Sequence, residues 1–258
     1  LSQILMRCLT LLFGYNSRMI LSINSGLIEI VHEVYYFDPK TDYAPTTAIS
    51  SISWDDPNFP NIEGFGVWAA KCNFTMGPDG KMYSRMLGGN LVRIDVENAR
   101  GENLTNGDLV GTKDGSAYGL VFDPQDENVF YFSNNDKHCI YKYDLRTKEC
   151  ACWAGQEGKS GYLDGPIGQA MFNKPGQMCV DSEGNIILTD TENHCIRKIT
   201  MSTGYVSTLA GKPQNSGYVN GSAEDAQFKK PLGICIDNDD VMYIGDSENR
   251  AIRRLAVE

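Results

Sequence analysis

Short apolar runs separated by turn-forming residues recur along most of this chain. They are clear from Asn73 onwards, where NFTMGPDGKMYSRM and NLVRIDV alternate apolar and polar positions around an Asp79-Gly80 turn. Runs of this length with a period of two, bounded by Gly, Asp and Asn, predict β-strands joined by hairpins. None of these runs keeps a helical period over ten residues. The pattern therefore predicts an all-β chain.

The second half of the chain contains one pattern twice, with a constant offset of 56 residues. The first copy reads GQEGKSGYLDGPIGQAMFNKPGQMCVDSEGNIILTDTENHCIRKI, and the second reads GKPQNSGYVNGSAEDAQFKKPLGICIDNDDVMYIGDSENRAIRRL. The offset pairs Tyr162 with Tyr218 and Phe172 with Phe228. A fixed period of this length indicates one supersecondary unit that buries its faces by stacking on copies of itself.

Four short strands per unit, with units in series, predict a β-propeller in a single domain spanning residues 1–258. We expect about five to six four-stranded blades and a ring that is incomplete or open. The units fall at approximately 1–31 (a partial blade), 66–110, 115–155, 171–211 and 227–258. Residues 32–65 do not fit the period. They combine four prolines with several aromatic residues, which predicts an irregular insertion, either packed over the side of the domain or forming a binding loop.

The repeated segments resemble the NHL repeat. FNKPGQMCVDSEGNIILTDTENHCIRKI and FKKPLGICIDNDDVMYIGDSENRAIRRL have its Pro-Gly first strand, its Gly-Asn turn, its Asp after the second strand and its Asn-His-x-Ile entry to the third. The linkers AGQEGKSGYLDG and AGKPQNSGYVNG are similar to those of secreted Bacteroidetes NHL-repeat proteins that also carry IPT/TIG domains. The resemblance covers roughly residues 115–258. It implies an NHL-type propeller, usually six-bladed, located outside the cytoplasm in a periplasm or on a cell surface.

Charge and hydropathy narrow the class of partner. The formal net charge of −10 argues against nucleic acid, whose affinity rests on clustered Lys and Arg. No apolar run approaches the roughly 18 residues that a membrane helix needs. The chain opens with Leu1 in the middle of a pattern, so we expect a mature form or a fragment.

The cysteine spacing argues against disulfides between repeats. Cys139 and Cys195 are 56 residues apart, as are Cys179 and Cys235, so each pair occupies one position in successive blades. Packed sheets lie about 10 Å apart, whereas a disulfide needs Cα atoms within about 7 Å. We therefore predict small buried hydrophobes at these positions.

No cofactor is predicted from the remaining candidate groups. His138 and His194 occupy the NHL position before the third strand, where packing and hydrogen bonding are favoured over metal binding. Asp190 and Asp246, with Asn134 at the matching position, are expected to bond backbone at the b–c turn. The acidic run from Asp237 to Asp240 suggests calcium. It lacks the Gly and distal Glu of an EF-hand loop, and a solvated turn is favoured.

The candidate site lies where the long connections emerge. In a four-stranded meander a–b–c–d, the b–c loops and the d–a linkers, Gln156–Asn173 and Lys212–Lys229, share one face, and long loops on a rigid scaffold commonly carry binding. Tyr162 beside Asp164, and Tyr218 beside Asn220, would offer an aromatic plate next to hydrogen-bonding groups, which suits a sugar ring or a peptide. The alternative is that each tyrosine wedges its linker against a blade.

Two arginines at equivalent repeat positions complete the candidate set. Arg197 and Arg253 are expected either to form an anion-binding row or to lie on solvated strand edges, paired with Glu192 and Glu248.

These features predict a non-catalytic recognition module that binds a glycan or a protein through the linker face. The alternative, which some NHL-like and related six-bladed propellers exemplify, is a metal-dependent hydrolase or lactonase with its site at the axial channel. That alternative requires inward-facing Asp, Glu, Asn or His side chains from several blades to converge.

Overall fold

The structure is a computed structural model that describes residues 34–37, 45–49, 53–54, 75–85, 91–95, 98, 100–104 and 119–256. The predicted partial blade at 1–31 lies outside the described residues. Where the chain is described, its regular structure is almost entirely β-strand, as the alternating pattern predicts. The strands are β1 Val34–Phe37, β2 Pro45–Ile49, β3 Ser53–Trp54, β4 Thr75–Met76, β5 Met82–Arg85, β6 Leu91–Asp95, β7 Arg100–Asn103, β8 Leu120–Phe122, β9 Val129–Asn134, β10 Cys139–Asp144, β11 Cys150–Ala154, β12 Gly165–Pro166, β13 Pro175–Val180, β14 Ile186–Asp190, β15 Cys195–Thr200, β16 Tyr205–Ala210, β17 Pro231–Ile236, β18 Met242–Asp246 and β19 Ala251–Leu255.

The described strands form four antiparallel blades of a β-propeller. Blade 1 contains β4–β7, blade 2 β8–β11, blade 3 β13–β16 and blade 4 β17–β19, each with its strands in chain order across the sheet. Their strands span Thr75–Asn103, Leu120–Ala154, Pro175–Ala210 and Pro231–Leu255. The predicted number of about five to six blades is not reached, because the described part of the chain forms four.

The predicted insertion at 32–65 contains short strands. β1 and β2 form an antiparallel hairpin in which Tyr36 lies opposite Thr46. β3 pairs in parallel with β7, the last strand of blade 1, with Ser53 opposite Arg100. The proline-rich composition therefore does not prevent local pairing. One of these strands extends the sheet of blade 1.

The second and third strands of blades 3 and 4 are joined by the same compact turn. Thr191–Asn193 and Ser247–Asn249 each form a single 3-10 turn. The next residue has left-handed backbone, with φ of 58° at His194 and 53° at Arg250. Asn193 and Asn249 each donate a side-chain hydrogen bond to the linker that precedes their blade, at the carbonyls of Gly161 and Gly217. The b–c turns and the linkers therefore share a face, as predicted.

The hydrophobic core lies between blades. Phe172, which is fully buried, packs in a cluster from blades 2 and 3 that includes Tyr131, Ile140 and Leu188. Phe228, 2% exposed, packs in the corresponding cluster of blades 3 and 4. Because blades 2 and 3 each have a described neighbour on both faces, their second strands β9 and β14 are buried on both sides. Equivalent phenylalanines therefore have equivalent surroundings, as the 56-residue period requires.

Blades 3 and 4 also meet through hydrogen bonds at their inner edges. The Thr189 hydroxyl donates to the carbonyl of Leu232 at 2.9 Å, and the Thr191 hydroxyl donates to that of Pro231 at 2.8 Å. A Cβ at Gly176 would lie 2.4 Å from Thr189 Oγ1 and 2.9 Å from the Leu232 oxygen. Only glycine fits at this position, because any side chain would push the two blades apart.

The cysteines at the repeated positions are buried, as predicted, but one of them is disulfide-bonded. Cys139, Cys179 and Cys195 lie in the core between blades. Cys235 is also buried, but it is disulfide-bonded, which the spacing argument did not predict.

Among the described residues there is no helix with the length and apolar character that a membrane crossing demands.

Candidate functional site

Each linker packs against the blade that follows it in the chain. The first linker, residues 156–173, contributes β12, which pairs with the outer strand β16 of blade 3. The hydroxyl groups of Tyr162 and Thr208 are hydrogen-bonded at 2.7 Å. Asp164 accepts from the Thr208 backbone N–H at 3.1 Å. The outer strand of blade 3 is therefore the docking surface for its own incoming linker.

A buried arginine of blade 3 binds the first linker through an ion pair and hydrogen bonds. The Arg197 side chain is fully buried, and its Nη1 and Nη2 atoms lie 2.7 Å from Asp190 and 2.6 Å from Asp164. The same nitrogens donate to the linker carbonyls of Met171 at 3.1 Å and Leu163 at 2.9 Å. One guanidinium group thus joins a blade carboxylate, a linker carboxylate and the linker backbone.

Two aromatic rings enclose this guanidinium group. The Arg197 Cζ atom lies 4.9 Å from the ring centre of Tyr162 and 5.2 Å from that of Phe172. Both distances are within the range of cation–π attraction, which strengthens when water is excluded. Tyr162 therefore has the wedging role that the sequence offered as the alternative to ligand binding.

Asp190 is the most strongly perturbed carboxylate of this cluster. It accepts hydrogen bonds from the Asn193 side chain at 2.8 Å and the Asn173 backbone N–H at 2.8 Å, besides Arg197. Complete burial nevertheless raises its pKa to about 6, because desolvation outweighs the attraction of Arg197. The sequence predicted local backbone bonding for Asp190 at the b–c turn, whereas its partners are the Asn193 side chain of that turn, the linker backbone at Asn173 and the strand residue Arg197. The pair contributes to placement of the linker more than to net stability.

The second linker, residues 212–229, repeats the arrangement on blade 4. Arg253 Nη1 lies 2.9 Å from Asp246, and the guanidinium also donates to the Gln227 carbonyl at 3.0 Å. Its Cζ atom lies 4.9 Å from the ring centres of both Tyr218 and Phe228. A buried arginine that binds the preceding linker therefore occurs in both blade 3 and blade 4.

Blade 2 has uncharged residues at the positions of this arginine and its aspartate partner. Tyr141 occupies the position of Arg197, and Asn134 occupies that of Asp190, each 56 residues earlier. Both side chains are buried, and within the part of the chain that the structure describes the Tyr141 hydroxyl and Asn134 Nδ2 have no hydrogen-bond partner. The cation and the anion are thus exchanged together. This joint exchange is expected if neither charge is tolerated alone in the interior.

The predicted site residues fall into a buried group and an exposed group. Arg197 and Arg253 are 0% and 7% exposed at the side chain, so the expectation of solvated strand edges or an open anion-binding row is wrong. Glu192 and Glu248, their expected partners, instead pair with Lys230 at 3.4 Å and 3.0 Å. The sequence missed this burial because a propeller blade is covered on both faces.

Ligand-accessible groups lie on the outer side of the linkers. Tyr218 is 59% exposed, and the adjacent Val219 is 42% exposed. Asn220 is exposed beside them. On the first linker, Leu163 is 46% exposed, whereas Tyr162 and Asp164 are half-buried. The sequence reading missed Leu163 and Val219, although an apolar residue after each repeated tyrosine was a usable signal.

Two histidines join neighbouring blades, which confirms their predicted hydrogen-bonding role. His138 Nδ1 accepts from the Lys174 backbone N–H at 3.1 Å, and His194 Nδ1 accepts from that of Lys230 at 3.2 Å. Each histidine directly precedes the third strand of one blade, and each lysine directly precedes the first strand of the next. This contact requires an unprotonated Nδ1, because a protonated ring has no acceptor.

The His138 contact predicts acid-sensitive stability. Burial, with help from Lys174, lowers the pKa of His138 below 6.5, so its contribution is complete above the unfolded value and is lost as pH falls through the folded value. The expected loss is about 1 kcal/mol, one hydrogen bond. His138→Asn keeps an acceptor at every pH and tolerates the left-handed φ of 55°. Denaturant unfolding at pH 7.5 and pH 5 should show a smaller pH effect in this variant. An unchanged difference would contradict the assignment.

The acidic run in blade 4 is engaged by protein groups. Asp237 accepts from the backbone N–H groups of Asp239 at 3.0 Å and Val241 at 2.9 Å. Asp240 accepts from the backbone N–H and the hydroxyl of Ser182 in blade 3. Over the described ranges, no group of three or more His, Cys, Asp or Glu side chains is placed to hold a metal ion.

The stacked antiparallel blades and their 56-residue period define a β-propeller, and sequence comparison finds a known repeat within it. The NHL repeat family matches residues 172–199, which cover β13, β14 and most of β15. NHL repeat-containing protein 2 of Gallus gallus is 30% identical over 152 residues, 58% of this chain and 19% of that protein. Protein SUPPRESSOR OF QUENCHING 1, chloroplastic, of Arabidopsis thaliana is 28% identical over 173 residues, 64% of this chain and 16% of that protein.

Solved structures agree. A Bacteroides thetaiotaomicron protein of unknown function has a TM-score of 0.76 at 25% identity, over 89% of this chain and 55% of its own. An auxiliary nutrient binding protein from the same species has a TM-score of 0.64 at 25% identity, over 85% of this chain and 52% of its own. The chain is a β-propeller that contains an NHL repeat at residues 172–199. It spans about half the length of these structures and less than a fifth of the curated relatives.

Proposed function

We propose that this propeller is a non-catalytic binding module, located outside the cytoplasm, that takes a glycan on its linker face. The observation that carries the proposal is the setting of Tyr218. One side of its ring is stacked on the Arg253 guanidinium at 4.9 Å, and the side chain is nevertheless 59% exposed. A ring fixed from behind and open in front loses little conformational entropy when a ligand covers it.

The groups around Tyr218 suit a ligand that is partly apolar and rich in hydroxyl groups. Asn220 offers both a donor and an acceptor beside the ring. Val219, next to Tyr218 in the chain, and Leu163, at the equivalent position of the first linker, are exposed apolar side chains. An aromatic plate with adjacent amide groups stacks on the C–H face of a sugar and bonds its hydroxyls.

The predicted residues take different parts in this proposal. Tyr218 and Asn220 would contact the ligand. Arg253 and Arg197 would hold the two linkers in place, and Tyr162 and Asp164 would lock the first linker on blade 3. The net charge of −10 favours an uncharged or cationic ligand over a polyanion.

Proteins with similar folds support a binding role and a location outside the cytoplasm. Two of them are auxiliary nutrient binding proteins, from Bacteroides thetaiotaomicron and Bacteroides ovatus, with TM-scores of 0.64 and 0.65. The second is 24% identical, so its likeness concerns the fold.

The test is glycan binding by array, followed by calorimetry with the best oligosaccharide. Tyr218→Ala should weaken binding at least about tenfold, as loss of a central aromatic contact does. Tyr205→Ala is the matched control, because Tyr205 is 47% exposed but lies on the outer strand β16. Equal losses in both variants, or retention in Tyr218→Ala, would reject the site. Binding of proteins but no saccharide would replace the glycan by a protein ligand. Lactone or ester hydrolysis that depends on a tightly held metal would show that the protein is a hydrolase, and it would reject the proposal of a non-catalytic binding module.

A further inference from the structure

The second linker contains an Asn-Gly pair in an exposed setting. Asn220 and Gly221 are both exposed, and the turn that begins at Ser222 follows them. Among the described residues, the Gly221 backbone N–H donates no hydrogen bond. A Cβ at Gly221 would meet nothing closer than the Asp225 Cβ at 3.8 Å. The backbone nitrogen that follows Asn220 is therefore not hydrogen-bonded, and its surroundings are uncrowded.

The first linker has an Asp-Gly pair at the equivalent positions, 56 residues earlier. Gly165 lies in β12 and pairs with Val206 of the outer strand β16. The Asp164 carboxylate accepts from the Thr208 backbone N–H at 3.1 Å and lies 2.6 Å from Nη2 of Arg197. When the residue at this repeat position is an aspartate, it therefore takes part in holding the linker on its blade.

The second linker lacks this carboxylate. Arg197 Nη2 donates to a linker carbonyl at 2.9 Å and to the carboxylate of the next residue, Asp164, at 2.6 Å. Arg253 Nη2 donates to the equivalent linker carbonyl, that of Val219, and among the described residues to no carboxylate. Asn220 follows Val219 directly. A carboxylate at residue 220 would therefore stand beside Arg253 where Asp164 stands beside Arg197.

We propose that Asn220 is a site of spontaneous modification, at which loss of ammonia converts the side-chain amide into a carboxylate that then pairs with Arg253. The reaction needs water and no enzyme or cofactor. It gives the second linker the aspartate that the first linker has in its sequence. This inference does not depend on the proposed glycan site, because neither the reaction nor the ion pair involves a ligand.

The reaction consists of a ring closure and a hydrolysis. The Gly221 backbone nitrogen loses its proton and attacks the side-chain carbonyl carbon of Asn220, which glycine permits most readily because it has no Cβ to obstruct the approach. A new C–N bond closes a cyclic succinimide, the bond from that carbon to the amide nitrogen breaks, and the nitrogen leaves as ammonia. Water then opens the ring. Cleavage at the side-chain carbonyl gives aspartate, and cleavage at the backbone carbonyl gives isoaspartate.

The surroundings of Arg253 favour a second carboxylate. Its side chain is 7% exposed, and its Cζ atom lies 4.9 Å from the ring centres of Tyr218 and Phe228. A charge-assisted hydrogen bond to a guanidinium group is stronger than one between neutral groups, and a water-poor setting strengthens it further. Blade 3 shows the arrangement, because Arg197 binds one carboxylate from the blade and one from the linker.

The first experiment follows the amide by peptide mapping. The folded chain is incubated at mildly alkaline pH, digested and sequenced by tandem mass spectrometry. We expect conversion at Asn220 and none over the same time at Asn215, which is also exposed on this linker but precedes Ser216. Asn220→Gln is the matched variant. It keeps the amide and should show no conversion, because a glutamine has to close a larger ring that forms more slowly.

A urea-unfolded sample of the same chain gives the rate for this Asn-Gly pair without the fold. The folded chain should convert at a similar rate, because the Gly221 nitrogen has no hydrogen bond to lose. Conversion slowed about tenfold or more by folding, equivalent to a barrier raised by about 1.4 kcal/mol, would overturn the site. Conversion at Asn215 as fast as at Asn220, or isoaspartate as the sole product, would also overturn the proposal.

The second experiment tests the ion pair in urea, which does not screen charges as a salt denaturant does. Asn220→Asp makes the product directly and should unfold at a higher urea concentration than the unmodified chain. Ser216→Asp adds the same charge elsewhere on the linker and should not. Asp164→Asn removes the equivalent carboxylate from the first linker and should lower the midpoint. A midpoint for Asn220→Asp no higher than that of Ser216→Asp would overturn the pairing with Arg253.

Discussion

Arg197→Tyr is expected to destabilise the propeller by about 3–5 kcal/mol, the usual consequence of removing one partner of a buried ion pair. Asp190 would remain fully buried and lose its 2.7 Å partner, and the carbonyls of Leu163 and Met171 would lose their donors. The reason is the asymmetry of buried charges. Their attraction roughly offsets their desolvation, but one charge alone keeps only the desolvation cost.

The chain itself contains the compensating change. Asp190→Asn combined with Arg197→Tyr reproduces the pair Asn134 and Tyr141 of blade 2. The double variant should therefore be more stable than Arg197→Tyr alone, with a coupling of about 1–3 kcal/mol. Guanidinium chloride unfolding of the four proteins in the cycle gives this quantity. A matched cycle on the exposed pair Arg146 and Asp126 should give a much smaller coupling. Additive losses at residues 190 and 197 would show that the two charges do not compensate.

Phe172→Ala should cost about 3–5 kcal/mol, because it removes a fully buried ring from the core between blades 2 and 3. The same ring covers the Arg197 guanidinium at 5.2 Å, so its loss also admits water to a buried charge. Phe172→Leu keeps most of the apolar area but no ring, and it should cost clearly less.

Thermal and denaturant unfolding of the two Phe172 variants, with Tyr205→Ala as an exposed control, measure the effect. Equal losses for Leu and Ala would mean that the aromatic face towards Arg197, and not the filled volume, is the main contribution. A loss in Phe172→Ala no greater than in Tyr205→Ala would contradict the interblade core.

The sequence predicted the parts of this protein that periodicity controls. The 56-residue offset predicted the shared surroundings of Phe172 and Phe228 and the face on which the linkers emerge. These predictions succeed because identical spacing in stacked units requires identical packing. The number of blades does not follow in the same way, because units without clear periodicity contribute no signal.

The burial of Arg197 and Arg253 was beyond a strand-by-strand reading. Alternation separates buried from exposed positions only when one face of a sheet meets solvent, and β15 is buried on both faces. The usable signal was the comparison of equivalent positions between repeats. Arginine in the third strand accompanies aspartate at the end of the second strand in blades 3 and 4, whereas tyrosine accompanies asparagine in blade 2. Side-chain exposure on the linkers also escaped prediction, because it depends on which side of each linker the buried arginine holds.

The attachment of each linker to the blade after it decides where this chain can be divided. Arg197 in β15 binds Asp164 and the carbonyls of Leu163 and Met171, which all precede β13. A segment cut at the first residue of β13 would therefore keep Asp190 but lose these three partners of a buried guanidinium. The repeat unit that contains both Arg197 and the groups it binds therefore begins with the linker, at about residue 156, and ends with β16. Recombination or engineered insertion that uses this boundary keeps Arg197 together with the linker groups that it binds. Exchange at the borders of the sheets would separate them.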